Sequence, residues 1–235
     1  LAASALVNWP PERESVRRGK RAERSMGAGP AGTLRPMGSM RALRKTSKGR
    51  GAGLEEIPGP EPGEGEVLVR VHAASICGTD LHIYEWNEWA DKRIPRVPMT
   101  FGHEVAGWVE AVGPEVHHVQ PGAFVAAETH IACGICSTCR TGRAHICRNL
   151  RILGVDTDGA FAGYVVVPAQ NAWVVGEGIH PDHASVMEPF GNAVHATFGT
   201  EGGEDLPTNP VAVIGCGPIG LFSVAIARAL GAWKV

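Results

Sequence analysis

The sequence predicts a mixed α/β protein, in which a β-rich, barrel-like domain is followed by the first strand and helix of a βαβ unit. Three observations carry this. Short β-type runs recur between residues 66 and 169, each bounded by Gly, Pro or charge. Four of the six cysteines crowd into residues 133–147, a spacing suited to a metal-stapled loop. From Pro207 the texture changes to an apolar run, a glycine turn and an amphipathic stretch.

The totals fit that class. The chain has 235 residues, 44% hydrophobic and 20% charged, enough for one large domain or two small ones. No apolar run approaches the roughly eighteen residues that a membrane span needs. The net charge of −2 hides a split, because residues 1–50 hold 12 of the 22 Lys+Arg but only 3 of the 24 Asp+Glu. The rest is acidic and a poor match for phosphate backbones. Neither nucleic acid nor membrane is therefore an expected partner.

Residues 1–39 show neither strand nor helix periodicity and are rich in Gly, Pro, Ala, Arg and Ser. Such a stretch cannot bury enough apolar surface to offset its ordering entropy, and it is expected to be a disordered or non-native extension. A transit peptide is the alternative. Its basic residues, however, follow the leading LAASALV, and Glu12, Glu14 and Glu23 interrupt the basic run. The expected compartment is the cytoplasm, with mitochondrial targeting by this tail the other possibility. Order is expected from Met40. EVLVRVHA, residues 66–73, alternates apolar and polar residues and reads as a half-buried strand. EVAGWVEAVG, AFVAAE and FAGYVVVPA follow as further strands, and residues 40–206 form one domain.

Within that domain Cys133-Gly-Ile-Cys136-Ser-Thr-Cys139 and Cys147 point to structural zinc, which takes four tetrahedral thiolates. Two-residue gaps let a tight turn present successive sulfurs inward. Disulfides and an iron–sulfur cluster are the alternatives; the first lack a secretion signal to support them, and ferredoxin clusters use other spacings. Cys77-Gly-Thr79-Asp80-Leu-His82 and Gly102-His103-Glu104 are weaker pieces, since a lone cysteine is most often a small buried hydrophobe.

Taken together and in order, CGTDLHIYEWNEWA, IPRVPMTFGHEVAGWVEAVG, CGICSTCRTGRAHIC and EPFGNAVHATF resemble the medium-chain zinc-dependent alcohol dehydrogenases, in particular their threonine 3-dehydrogenase branch. The resemblance spans roughly residues 40–235. It implies a GroES-like catalytic domain and a catalytic zinc held by Cys77 and His103, with Glu188 as a third, carboxylate ligand. Glu104 fits an adjoining position that ligates the metal or supports it. A thiolate, an imidazole and a carboxylate would leave one coordination position open for a substrate oxygen. Thr79 and His82 resemble the family's proton relay, a hydroxyl passing a proton to an imidazole. The implied partner is a small-molecule substrate, the implied metal content is two zinc ions per chain, and the family assembles as tetramers.

Gly215-Cys-Gly217-Pro218-Ile219-Gly220 follows the apolar VAVI and opens the stretch PIGLFSVAIARAL. In that setting G-x-G-x-x-G is the dinucleotide fingerprint of a Rossmann fold, with the pyrophosphate on the helix N-terminus. Residues 207–235 are thus expected to be the start of a Rossmann dinucleotide-binding domain, and the resemblance implies that the dinucleotide is NAD. The acidic ribose partner is due about twenty residues past the glycines, beyond Val235, so the site is expected to be incomplete. The apolar face of 211–230 is then expected to stay exposed and the chain to be inactive alone. The leading expectation is zinc-polarised hydride transfer from the hydroxyl-bearing carbon of threonine to NAD. A polyol or secondary-alcohol dehydrogenase is a second reading. A non-catalytic zinc-binding remnant of a disrupted gene or short isoform is a third.

Overall fold

The computed structural model describes residues 38–198, 206–207 and 209–235. The proposed extension, apart from Gly38 and Ser39, lies outside the described residues. The chain enters through β1 (Ser39–Lys45), β2 (Gly53–Pro58) and β3 (Glu66–Ser75), then α1 (Gly78–Glu85) and α2 (Glu88–Arg93). Next come β4 (Met99–Thr100), β5 (Glu104–Val112), β6 (Phe124–Ala127) and β7 (His130–Ile131). The cysteine loop contains α3 (Ser137–Arg140), followed by β8 (Arg151–Ile152), β9 (Tyr164–Pro168) and β10 (Ala172–Val174). Three helices end the described chain, α4 (Pro181–Ala184), α5 (Met187–Phe198) and α6 (Pro218–Ala229). The architecture is the expected mixed α/β.

All strand pairings are antiparallel, in a five-stranded sheet β10-β6-β5-β3-β9, a three-stranded sheet β2-β1-β4 and a small pair β7-β8. The two larger sheets join where the chain entering β9 crosses β1. Leu43 N–H donates to the Phe161 carbonyl and Gly163 N–H to that of Arg41. Val67, Val69, Val105, Val109, Val125 and Val167 fill the space the curled sheet encloses, all at most 2% exposed. A second core of Ile83, Met99, Phe101 and Val155 packs under α1.

β3 departs from the half-buried strand that its alternation predicts. Residues 67–69 and 73–75 are buried on consecutive positions, so both faces are covered there. The reason is position: β3 lies between β5 and β9, and register shifts at Leu68/Val69 and Val71/Ala73 re-aim its side chains.

Lys45, only 1% exposed, ties β1 to the end of α1. Its ammonium donates to the Gly51 and Tyr84 carbonyls at 2.8 and 2.9 Å. Those contacts compensate a buried charge and hold α1 at the sheet end.

The segment 211–214 is a correction. Expected as the first strand of a βαβ unit, it forms no strand ladder, while Ile214 is fully exposed as the expected open apolar face implies. A strand needs a neighbour to satisfy its backbone. Here the hydrogen bond found is Val211 N–H to the Lys234 carbonyl at 2.9 Å. α6 forms as expected and packs on α5 through Phe190 and Phe222, ring centroids 5.4 Å apart. Leu221 remains 61% exposed.

Candidate active site and metal centres

The first centre forms where β3 ends beside the start of β5. Ser75 is paired with Glu104 across the two strands, so Cys77 just beyond Ser75 meets His103 just before Glu104. One ligand atom from each of Cys77, His103 and Glu104 lies within 4.8 Å of the others. Gly102 makes the approach possible. Its φ is +95°, and a Cβ there would stand 2.6 Å from the Phe161 ring. Cys77 caps α1, and its N–H donates to Asp80 Oδ2 at 2.8 Å.

Burial governs the charges. It pushes the Cys77 thiol up, raises Glu104, and raises Asp80 to about 7. His103 is lowered to about 4, chiefly by burial and then by nearby His130, so its imidazole is neutral. His103 Nδ1 and Asp80 Oδ1 are both buried and lack hydrogen-bond partners. A cation reverses this pattern, because it favours thiolate and carboxylate and takes a neutral imidazole. The donor set, soft sulfur with nitrogen and oxygen and room for one more ligand, fits zinc.

Glu188 reaches the same space from the first turn of α5 but is not among the converging ligand atoms. Its Oε1 accepts from Asn192 Nδ2 at 3.0 Å, and burial raises it to about 7. Near Glu104, two carboxylates without a cation repel each other, which also raises it. The shared cavity, about 280 Å³, is walled further by Thr79, Trp89, Arg93, His130 and Asn192. Thr79 Oγ1 is 3.8 Å from Cys77 Sγ. His82 sits three residues along the same helix, exposed, with Nδ1 2.6 Å from Asn87 Nδ2.

Sequence reasoning missed Trp89, Arg93, His130 and Asn192 as wall residues. For Asn192 a signal existed, since it is four residues from Glu188 on one helix. His130 stands beside Cys133 in sequence and is held by Glu128, whose Oε1 is 2.6 Å from its Nδ1. That carboxylate raises it first and Glu188 adds to the effect.

The second centre is the cysteine loop. One sulfur each from Cys133, Cys136, Cys139 and Cys147 lies within 4.8 Å of the others, and none is in a disulfide. Cys136 is 3.4 Å from Cys139 and 3.8 Å from Cys147. A zinc tetrahedron with bonds of about 2.3 Å sets sulfurs about 3.8 Å apart. Backbone N–H groups of Cys133 and Asn149 each donate to Cys147 Sγ at 3.3 Å. The Thr138 hydroxyl, then backbone donors, bring Cys136 down to about 5. Desolvation, then the sulfurs of Cys136 and Cys147, push Cys139 up to about 12. Four adjacent thiols resist carrying more than one negative charge without a cation, and this donor set fits a structural zinc.

The glycine turn lies against the first centre. A cavity of about 490 Å³ is lined by Cys77 and Glu104 on one side and by Gly215, Gly217, Pro218 and Ile219 on the other. Gly215 has φ +114°, and a Cβ on Gly220 would stand 2.0 Å from the Gly215 carbonyl oxygen. Gly217 caps α6, so the N-terminal amides of that helix face the turn. Cys216 is exposed.

Comparison with known proteins adds the family. Residues 63–177 match the Alcohol dehydrogenase GroES-like domain. The L-threonine 3-dehydrogenase of Pyrococcus horikoshii is 52% identical over 196 residues, 83% of this chain and 55% of that protein. That of Bacillus subtilis is 52% identical over 199 residues, 84% of this chain and 56% of that protein. The cobalt- and zinc-bound thermostable alcohol dehydrogenase of Pyrobaculum aerophilum superposes with a TM-score of 0.73 at 31% identity, covering 82% of this chain and 57% of that one. A short chain alcohol dehydrogenase of E. coli CFT073 complexed with NADH gives 0.74 at 35% identity, covering 82% and 54%. The chain thus spans about half the length of the curated relatives it matches. With a GroES-like domain, a converging thiol–imidazole–carboxylate set and a glycine turn beside it, the chain belongs to the zinc-dependent alcohol dehydrogenase family.

Proposed function

We propose that this protein acts as an L-threonine 3-dehydrogenase, oxidising the hydroxyl-bearing carbon of threonine with NAD as hydride acceptor. The observation that carries the proposal is the shared wall. Cys77 and Glu104 border both the polar cavity of the first centre and the cavity under the glycine turn. A substrate in one and a nicotinamide in the other would meet at those residues. Relatives about half identical over four-fifths of the chain supply the substrate. The compartment we assign with it is the cytoplasm.

Cys77, His103 and Glu104 would hold the catalytic zinc, with Glu188 on the wall of the same cavity. Zinc bound there supplies Lewis-acid polarisation of the alcohol, and NAD supplies the hydride acceptor. The remaining work belongs to the chain. Thr79, on the cavity wall, would relay the hydroxyl proton, its oxygen accepting it as its own proton passes outward. His82, at the exposed side of α1, would take that proton up and exchange it with solvent. Asp80, whose Oδ1 stands 3.6 Å from Nδ1 of His103, would orient that ring once the metal is held. Pro189 and Ile219, which line both cavities, keep their junction apolar and limit water there. Gly215, Gly217, Pro218, Ile219 and Gly220 would receive the pyrophosphate. Cys133, Cys136, Cys139 and Cys147 would hold the second zinc and do no chemistry.

The test is NADH formation from L-threonine, sorbitol and a simple secondary alcohol by the zinc-loaded protein extended to the length of its relatives, since the 235 residues alone are expected to be inactive. Threonine is expected to give the highest kcat/KM. Preference for sorbitol or the simple alcohol would overturn the assignment.

A further inference from the structure

We propose that Arg93 is the specificity-determining residue that anchors the carboxylate of an amino-acid substrate in the cavity of the first centre. The inference rests on the threonine dehydrogenase reading and deepens it, because it names what separates an amino acid from any other secondary alcohol.

The cavity wall carries two acids, Glu104 and Glu188, beside Cys77 and His103. Arg93 is the one Lys or Arg among the described lining residues. His130, the other basic group that faces this space away from the ligand set, is already engaged by Glu128. A neutral alcohol needs no cation there. A substrate with a carboxylate does, since an unpaired anion in such a site bears a large desolvation cost.

Arg93 is held ready for that role. It ends α2, and its Nη1 and Nη2 donate to Asp156 Oδ1 and Oδ2 at 2.5 and 2.6 Å. Asp156 is itself fixed, because its Oδ2 accepts from the Ile152 N–H at 2.8 Å. The fork sets the plane of the guanidinium while using two of its five N–H donors. Three remain on a group that lines the cavity with 34% of its side chain exposed. Glu188 lines the same cavity, and its carboxylate would face a substrate ammonium. The hydroxyl of an amino acid so held would lie between, toward Cys77 and Thr79.

The experiment compares L-threonine with isopropanolamine, the same amino alcohol without its carboxylate, as substrates of the zinc-loaded protein at the length of its relatives. Arg93→Gln is expected to raise KM for threonine roughly 10- to 100-fold, the loss of a charge-assisted hydrogen bond. Its kcat/KM for isopropanolamine is expected to stay within about threefold of the parent. Arg93→Lys, which keeps the charge and loses the fork, should fall between. The double variant Arg93→Gln/Asp156→Asn replaces the ion pair by two neutral amides, so it guards against a fold defect from an unpaired Asp156. It must show the same selective loss.

Equal losses with both substrates, or an unchanged KM for threonine, would overturn the inference while leaving the dehydrogenase reading intact. Should the parent oxidise neither compound, that reading fails, and calorimetry on the zinc-loaded protein decides the inference alone. Threonine binding that exceeds isopropanolamine binding and is lost in Arg93→Gln supports it. Equal binding of the two, or binding indifferent to the substitution, refutes it.

Discussion

Asp80 Oδ1 stands 3.6 Å from Nδ1 of His103, and neither atom has a hydrogen-bond partner within the protein. Both side chains are at most 7% exposed. Two unpartnered polar atoms so placed are costly unless each is needed in another state. With a cation on the far ring nitrogen, Nδ1 must carry a proton and Asp80 becomes its acceptor, which fixes tautomer and ring plane together.

Asp80→Asn tests that relation. The amide oxygen can still accept from the Cys77 N–H, so α1 should remain capped, but the charge facing His103 is gone. Zinc affinity at this centre is expected to drop about 10- to 100-fold, the usual effect of removing such a carboxylate. Competition against a zinc chelator measures it. Unaltered affinity would mean that Asp80 serves only as the helix cap.

The two centres should release zinc at different rates. The first has three converging ligands and borders two cavities, whereas the second has four sulfurs closed on one another. A chelator is expected to strip one ion per chain quickly, abolishing activity with the fold intact, and the other slowly, with loss of thermal stability. Cys147→Ser should remove only the slow ion. Release in a single phase would contradict the division of roles.

How much of this was legible depends on how local each feature is. The cysteine cluster could be read because its four ligands span residues 133–147, and the spacing alone constrains the geometry. Cys77 and His103 are farther apart, yet each adjoins the end of a recognisable strand, and β3 and β5 pair. Glu188 was harder. The sequence places it at the start of a helix, but how far α5 brings it toward the triad depends on packing against β5, β6 and α6. Arg93 and His130 carry no local signature at all; only the fold puts them on one wall. Residues 211–214 have the composition of a buried strand, and composition cannot supply the neighbour that such a strand requires.

The Arg93–Asp156 pair should make stability depend on acid. The Arg93 fork holds the Asp156 carboxyl below its ordinary value, so its folded pKa is depressed relative to the unfolded chain. The pair's contribution is therefore present above the ordinary carboxylate range and lost as pH falls through the folded value. Because Arg93 is partly exposed, the contribution is expected to be about 1 kcal/mol. Urea midpoints at neutral pH and near pH ~3 should converge between the parent and Arg93→Gln/Asp156→Asn at the acidic end. A constant difference across that window would refute the linkage.

Gly102→Ala should disturb the first centre from behind. The residue sits at φ +95°, where a side chain is strained, and its Cβ would meet the Phe161 ring at 2.6 Å. Strain and overpacking together are expected to cost about 3 kcal/mol in unfolding free energy. Relief by displacement of the backbone would carry His103 with it, so zinc affinity at the first centre should fall while the cysteine centre is unaffected.

Gly220→Ala separates cofactor binding from metal binding. An added Cβ would lie 2.0 Å from the Gly215 carbonyl, so the turn must open or α6 must move away from it. Either shift disorders the N–H groups expected to face a pyrophosphate, whereas Cys77, His103 and Glu104 are positioned by the paired β3 and β5, and α6 packs chiefly on α5. NADH binding followed by fluorescence is expected to weaken at least tenfold, about 1.4 kcal/mol, with both zinc ions retained. Loss of zinc in this variant would show instead that the glycine turn holds the metal centre together, and the separation of the two sites would have to be abandoned.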